Sequence, residues 1–418
     1  MKKKIAVFQY GWLLSQLGYL VKSLSEEGFH VDVFLHECNM EFYQISDEER
    51  IRVHLTDRPG EEAAQPVTAR VVARLKSLVK NTWIEPLAIR TRILLRKLTP
   101  EFMLPGGMKL IPKTLVDEAL RVIADENYVC LIGVEKAGLI WAGLVGERTG
   151  LPWMYYSLEL LTSDNDVFYD YDLVRYSRAE KLYHQKAVAT IIQDQDRADV
   201  LLKDNKVKNQ KVIFLPVSIV GEVIPKSSDY LRAEYDIPKD TVIVLQFGHI
   251  HEWRFCEEVM LEAGDFGEGI VLVMHGKYPE GKEKYSHLIS NGRVVLSDKL
   301  VPNSELGKLI SSADIGLALY RESPVNDSLT GSASEKLALY LQAGVPVIMF
   351  DYPSFRQMND KYQFGVGIRT LKELGPAIET ILKNYSYYRE NAFEAFVDHY
   401  EFRRGFGKVL DFVKSLER

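Results

Sequence analysis

Short apolar runs, bounded by polar residues, glycine or proline, recur along this chain and alternate with longer stretches of helical period. In the first half the runs are Ile5–Gln9, Val31–Leu35, Val129–Gly133, Trp153–Tyr156, Ala189–Gln193 and Val212–Leu215. In the second they are Thr241–Phe247, Ile270–His275, Arg293–Leu296, Ile315–Tyr320 and Val347–Phe350. Between them, Lys113–Asn127, Lys136–Gly150 and Arg178–Lys186 read as helices, and Asp194 opens another. Strands that are apolar throughout, separated by helices, predict parallel sheets covered on both faces: an α/β, doubly wound architecture. A chain of 418 residues is too long for one core. The pattern divides it into an N-terminal domain at 1–216 and a second domain at 217–386, with Val217–Pro225 as the connection. Terminal helices follow at 387–418. There Phe393, Phe396 and Val397 fit one helical face, Val409, Leu410, Phe412, Val413 and Leu416 another, and Gly405 and Gly407 allow a bend.

The stretch Ser328–Phe350, SLTGSASEKLALYLQAGVPVIMF, carries the densest signal. Thr330, Gly331 and Ser332 form a small-residue turn, and Ser332 with Glu335 has the spacing of a capping box. An apolar helical run follows to Ala343, Gly344 ends it, and Pro346 blocks continuation into the buried strand Val347–Phe350. The start of such a helix has unpaired N–H groups and a partial positive charge, and Lys336 lies about one turn in, so it suits a phosphate. A second end of this kind follows Thr241–Phe247, where Gly248-His-Ile-His-Glu-Trp-Arg254 puts a glycine and then a basic residue at a helix start.

Other features narrow the chemistry. The net charge of −6 argues against general nucleic-acid binding. Locally, Arg70, Arg74, Lys76, Lys80, Arg90, Arg92, Arg96 and Lys97 interleave with apolar residues. This basic amphipathic pattern over 70–97 suits peripheral contact with an anionic membrane or a pyrophosphate-linked acceptor; it also suits ordinary helices with a solvated basic face. Gly11 and Gly18 bracket the loop after the first strand, but no GxGxxG is present, so a dinucleotide fingerprint is not supported. Gly11 reads as a tight turn or as part of a loop facing the ligand side of the sheet. Asp194 and Asp196 look like a metal-binding DxD but are explained by helix capping. His249 and His251 lack a third ligand type nearby, so no metal site is expected. Cys38, Cys130 and Cys256 are scattered, which fits neither a disulfide framework nor a zinc site. No apolar run approaches the ~20 residues of a membrane span, so the expected location is cytoplasmic, with peripheral contact at the inner membrane face as a further possibility.

The run SEKLALYLQAGVPVI resembles the donor segment of GT-B glycosyltransferases, especially the family 4-like group with its KL.LYLAAG.PVI pattern. The resemblance implies two Rossmann-like domains with a cleft between them, a nucleoside diphosphate sugar as donor with no other cofactor, and retention of anomeric configuration. It implies that Arg254 neutralises the donor phosphates, with Lys336 or Lys277 sharing the charge because the family's usual lysine is absent. Gly248, His249, Thr330, Gly331, Ser332 and Glu335 complete the phosphate and sugar side, and backbone near Val301 reads the base in the segment SDKLVPNSELGKLISSADIGLALY. The passage EKAGLIWAGLVGERTGLPWMYYSLEL is similar to the family's acceptor-side segment. It makes Glu135 and Glu159 catalytic candidates beside Arg254 and Lys336, with Gly11 and Trp12 on the acceptor side. The histidine that many relatives carry near Glu135 is absent. The two glutamates usual in the donor segment are replaced by Gly331 and Leu339, so either Glu335 takes over the ribose or the nucleotide is held in another way. The resemblance also sends the terminal helix back to the first domain. The expected function is sugar transfer to a saccharide, lipid-linked or other acceptor; the alternatives are a catalytically silent nucleotide-sugar-binding subunit and a sugar-nucleotide epimerase.

Overall fold

The computed structural model describes residues 3–10, 15–36, 48–56, 110–124, 127–162, 171–225, 228–250, 254–289, 292–322 and 325–417. Its first sheet has seven strands: β1 (Lys4–Tyr10), β2 (His30–His36), β3 (Ile51–Thr56), β4 (Tyr128–Val134), β5 (Trp153–Tyr156), β6 (Ala189–Ile192) and β7 (Lys211–Phe214). They lie in the order β3-β2-β1-β4-β5-β6-β7, with parallel pairing from β3 across to β6. The second sheet has six: β8 (Val242–His249), β9 (Ile270–Lys277), β10 (Val294–Ser297), β11 (Ile315–Ala318), β12 (Val347–Phe350) and β13 (Gly365–Ile368). Their order is β10-β9-β8-β11-β12-β13, parallel throughout. The chain separates into two compact units, one of Met1–Ile191, Asp199–Ile213 and Val413–Arg418, the other of Ile192–Ala198 and Phe214–Phe412. Of the terminal segment 387–418, residues up to Phe412 therefore group with the second sheet and those from Val413 with the first.

Each unit is built around its first strand. In the N-terminal unit Ile5, Ala6, Val7 and Phe8 are fully buried, as the continuous apolar run predicts. The helix Glu135–Thr149 lies close against β1 and β4: a Cβ at Gly138 would stand 2.3 Å from the Phe8 carbonyl oxygen, and one at Gly133 would stand 2.4 Å from Leu139 Cα. In the second unit the helix Glu335–Gln342 covers one face of the sheet. The Tyr340 hydroxyl donates to the Leu245 carbonyl at 2.7 Å, and its ring fills the space that a side chain at Gly316 would need. On the other face Val259, Met260, Phe266, Leu374, Ile378 and Ile381 pack over Leu272, Leu317 and Ile348 in one apolar cluster.

Several local expectations are corrected. β3, IRVHLT, and β13, GVGI, do not stand out in the apolar pattern, because one alternates with Arg52 and His54 and the other is half glycine. The cap of the helix Glu335–Gln342 is Ser334, whose Oγ accepts from the Leu337 N–H at 3.1 Å, and not Ser332. The helix Phe402–Ser415 runs through Gly405 and Gly407 without a break; the chain instead turns in a π-helical segment at Phe396–Tyr400. Within that segment Phe396 is fully buried and Val397 is 50% exposed, so the two do not share a face. Asp194 does cap its helix, accepting from the Arg197 N–H at 2.9 Å. Gly11, Trp12, His251 and the basic segment 70–97 lie outside the described residues. Among the described residues no helix is long and apolar enough to cross a membrane, and no cluster of three or more His, Cys, Asp or Glu side chains suits a metal.

Candidate functional site

In a doubly wound sheet the chain leaves the first strand toward one edge and later resumes on its other side. The connections diverge there, leaving a crevice at the strand C-termini where ligands bind. In the second unit this point lies between β8 and β11. β8 ends at Gly248 and His249, and beyond β11 the chain reaches Tyr320, which is buried. The Tyr320 hydroxyl shares a 2.6 Å hydrogen bond with Ser334 Oγ, tying the crevice wall to the start of the helix Glu335–Gln342.

Two cations meet at this wall. The Arg254 guanidinium lies 4.9 Å from the Tyr320 ring centroid, and Lys336 Nζ lies 5.9 Å from the same ring and 6.0 Å from that of Phe247. The lysine side chain fits because residue 248 is glycine: a Cβ there would stand 2.9 Å from Lys336 Cε and 3.2 Å from Nζ. Arg254 Nη1 is buried with no hydrogen-bond partner among the described residues. Burial first, and then the nearby charge of Arg254, pull the Lys336 pKa down to about 7, while Cys256 and Asp327 act weakly the other way. Two basic side chains brought together beside a helix N-terminus suit an anion.

The other predicted residues of this unit divide into two groups. Glu335 is the first residue of the helix and exposed, and His249 and Lys277 pair across the ends of β8 and β9. Val301 lies in the segment after β10 and is half-buried. Thr330, Gly331 and Ser332 are buried in bonds that hold the turn itself. Thr330 Oγ1 donates to the carbonyls of Asn326 and Asp327, each at 2.7 Å; the Gly331 carbonyl accepts from Tyr400; and Ser332 Oγ is 3.2 Å from His399 Nε2. A Cβ at Gly331 would meet the Ser354 carbonyl oxygen at 2.5 Å, and Leu339 is buried. This backbone therefore has no room for a carboxylate at 331 and no exposure for one at 339. Arg197, fully buried, supports the turn from below, reaching Leu329 O at 3.1 Å and Asn326 Oδ1 at 3.0 Å. Tyr320, Ser334 and Arg197 were not predicted. Only Ser334 had a readable signal, as a second serine directly before the helix.

In the N-terminal unit the corresponding point lies between β1 and β4. Glu135 follows β4 directly, at φ 60, as the first residue of its helix. The close packing at Gly133 and Gly138 forces this sharp strand-to-helix turn, and the left-handed backbone is unusual for a residue other than glycine. Glu135 Oε1 accepts from the N–H groups of Leu158 and Glu159 at 2.7 and 2.9 Å. Burial first, and then the charge of Glu159, raise the Glu135 pKa to about 8, although those two N–H groups favour the ionised form. The Tyr156 hydroxyl is buried without a partner among the described residues, and burial and the Glu135 charge raise its pKa. Lys136 does not neutralise Glu135. It is buried among Glu180 Oε2 at 2.5 Å, Ser177 Oγ at 3.1 Å and the Leu161 carbonyl, and Tyr155 donates to the other Glu180 oxygen at 2.7 Å. Glu159 itself is exposed.

No protein-family model matches the chain, and no curated protein does. Solved structures do. A sucrose-phosphate synthase from Thermosynechococcus elongatus aligns over 100% of this chain and 99% of its own, at 15% identity and a TM-score of 0.66. The Anabaena protein HepE, solved in complex with UDP-glucose, aligns over 99% and 100% at 12% identity and a TM-score of 0.63. WaaG, a glycosyltransferase involved in lipopolysaccharide biosynthesis, aligns over 97% and 99% at 13% identity and a TM-score of 0.60. The chain has a GT-B fold. Within this GT-B fold the six-stranded unit holds the cationic switch point and the seven-stranded unit the acidic one.

Proposed function

We propose that this chain is a glycosyltransferase that moves a sugar from a nucleoside diphosphate donor, held on the second unit, to an acceptor held on the first. The observation that carries this reading is the pair Arg254 and Lys336, set against one tyrosine ring at the β8 and β11 switch point. In the reaction the bond from the anomeric carbon to the β-phosphate oxygen breaks, and a bond from that carbon to the acceptor oxygen forms. The diphosphate leaves with increased negative charge, which the two cations and the helix start stabilise without a metal. The acceptor hydroxyl loses its proton to ionised Glu135, whose Oε1 is already fixed by two backbone N–H groups. Retention of configuration, which requires the acceptor oxygen to arrive on the face that the diphosphate leaves, and a saccharide or lipid-linked acceptor belong to the same proposal. Support comes from the fold shared with a sucrose-phosphate synthase and with a protein crystallised with UDP-glucose.

Thermal-shift screening against UDP, GDP, ADP and their sugars tests the donor half. One base should raise the melting temperature selectively, with no added divalent ion; no shift with any of them would sink the diphosphate assignment. The lack of a carboxylate at 331 and 339 favours a second reading, a subunit that binds nucleotide sugar but does not turn it over. Stabilisation by a nucleotide sugar without release of the nucleoside diphosphate, across a panel of acceptors, would favour that one.

A further inference from the structure

Arg254 and Tyr320 face the cationic crevice, but the residues that follow each of them, Phe255 and Arg321, line a different hollow. With Phe350, Asp351, Tyr352 and Arg369 they border a groove of about 590 Å3 along the C-terminal ends of β12 and β13. It adjoins a smaller hollow of about 230 Å3 that shares Phe350, Asp351 and Arg369. Clefts of such size hold small ligands.

Phe255 is the telling residue. Its backbone is at φ 56, a left-handed conformation that suits glycine and strains a bulky side chain. The ring is half-buried, packs at 5.1 Å against Phe350 and carries the Arg321 guanidinium 4.2 Å from its centroid. Phe350 stacks in turn on Tyr352 at 5.5 Å, and the Tyr352 hydroxyl donates to the Tyr320 carbonyl at 3.0 Å, which fixes that ring. Aromatic surface is thus held along the groove by bonds made outside it.

The charge of the groove differs from that of the crevice. Arg321 is paired with Glu258 at 3.0 Å, and Asp351 is gripped by Arg356 through two contacts of 2.7 Å. These charges pair off, and the remaining Arg369, 3.9 Å from Asp351, is offset by Glu322 on the same lining, so a second phosphate gains little there. Aromatic faces beside fixed, paired carboxylate and guanidinium groups match a ligand with apolar C–H faces and many hydroxyls. We propose that this groove binds a neutral saccharide chain, laid on the Tyr352 ring and against the edge of Phe255, and hydrogen-bonded by Asp351, Arg321 and Arg369. The choice of a saccharide rests in part on reading the adjoining crevice as a nucleotide-sugar site; the groove would hold a saccharide chain apart from the reacting hydroxyl, which that reading assigns to the first unit.

The test uses the full chain on an array of neutral and acidic oligosaccharides, with thermal shift against UDP, GDP and ADP in parallel. Wild type should retain at least one neutral oligosaccharide. Phe255→Gly, which removes the ring and with it the packing on Phe350, should lose about tenfold in affinity when assayed well below its own, lowered melting temperature, and Arg369→Ala should lose less with the melting temperature unchanged. No retained glycan, retention of acidic glycans alone, or equal retention by Phe255→Gly would overturn the proposal. Glycan binding without any nucleotide shift would sink the donor reading and leave the groove standing; a nucleotide shift without glycan binding would do the reverse.

Discussion

Where the middle strands of the first sheet end, a carboxyl is held in a left-handed turn and keeps its proton to about pH 8; where those of the second sheet end, an arginine and a lysine share one tyrosine ring. The two sheets have the same sequence of crossings around their first strand, so topology places a crevice in each but does not choose its charge. That choice rests with a few residues at helix starts. In both units a residue other than glycine adopts positive φ there, Glu135 in one and Phe255 in the other. Other residues at positive φ, such as Asp236 and Gln363, end helices, so strain alone does not single out these edges; the neighbouring side chains decide what each edge attracts.

The contrast can be broken most severely on the cationic side. Replacing Arg254 and Lys336 together by alanine should lower turnover by about 10²-fold or more and abolish nucleotide-induced stabilisation, as measured by product formation and thermal shift. Wild-type values in both would remove the phosphate role from this crevice. On the acidic side Glu135→Gln should lower turnover by roughly 10²-fold while leaving nucleotide stabilisation intact, so the two variants separate acceptor chemistry from donor binding.

The same variants sharpen the comparison through pH. With the roles proposed, donor affinity should fall as pH rises through the Lys336 pKa of about 7, and the chemical step should speed up as pH rises through the Glu135 pKa of about 8. Glu135→Gln should therefore remove the acid limb of the rate profile. Stability provides an independent reading. The Glu135 pKa is raised from 4.5 to about 8, so the folded state keeps a proton that the unfolded chain releases, and stability is lost as pH rises through that window. Glu135→Gln should flatten the melting temperature between those values; an unchanged slope would mean the carboxyl is not perturbed. The smallest effect belongs to the cap: Ser334→Ala should cost about 1 kcal/mol in denaturant unfolding, because Leu337 N–H and Tyr320 Oη both lose their partner.

Much of the architecture was legible because buried parallel strands are apolar along their whole length, as in VIVLQF at the start of β8 and VIMF in β12. β3 and β13 were not legible, since an edge strand that alternates with Arg52 and His54 or consists half of glycine carries no such run. Arg254, Lys336 and Gly248 could be named from glycine and basic residues at helix starts, and the three do come together. That Thr330, Gly331 and Ser332 spend their polar groups inside the turn could not be read, because the partners Asn326, Tyr400 and His399 are set by tertiary packing. Nor could Tyr320, an aromatic residue at the end of an apolar run, be told from core until two cations were seen over its ring.

The glycines at the ends of β8 and β9 would behave differently in a mutational library. A Cβ at Gly276 would fall 1.6 Å from the Gly248 carbonyl oxygen, a clash with main chain, so selection for any property of this fold should return glycine at 276. At Gly248 the nearest obstacle is only the flexible tip of Lys336, but a φ of 117 strains any other residue, so alanine there should both push the ammonium aside and cost stability. Substitution at 248 would thus move the lysine at a cost in backbone strain, whereas at 276 it would collide with main chain.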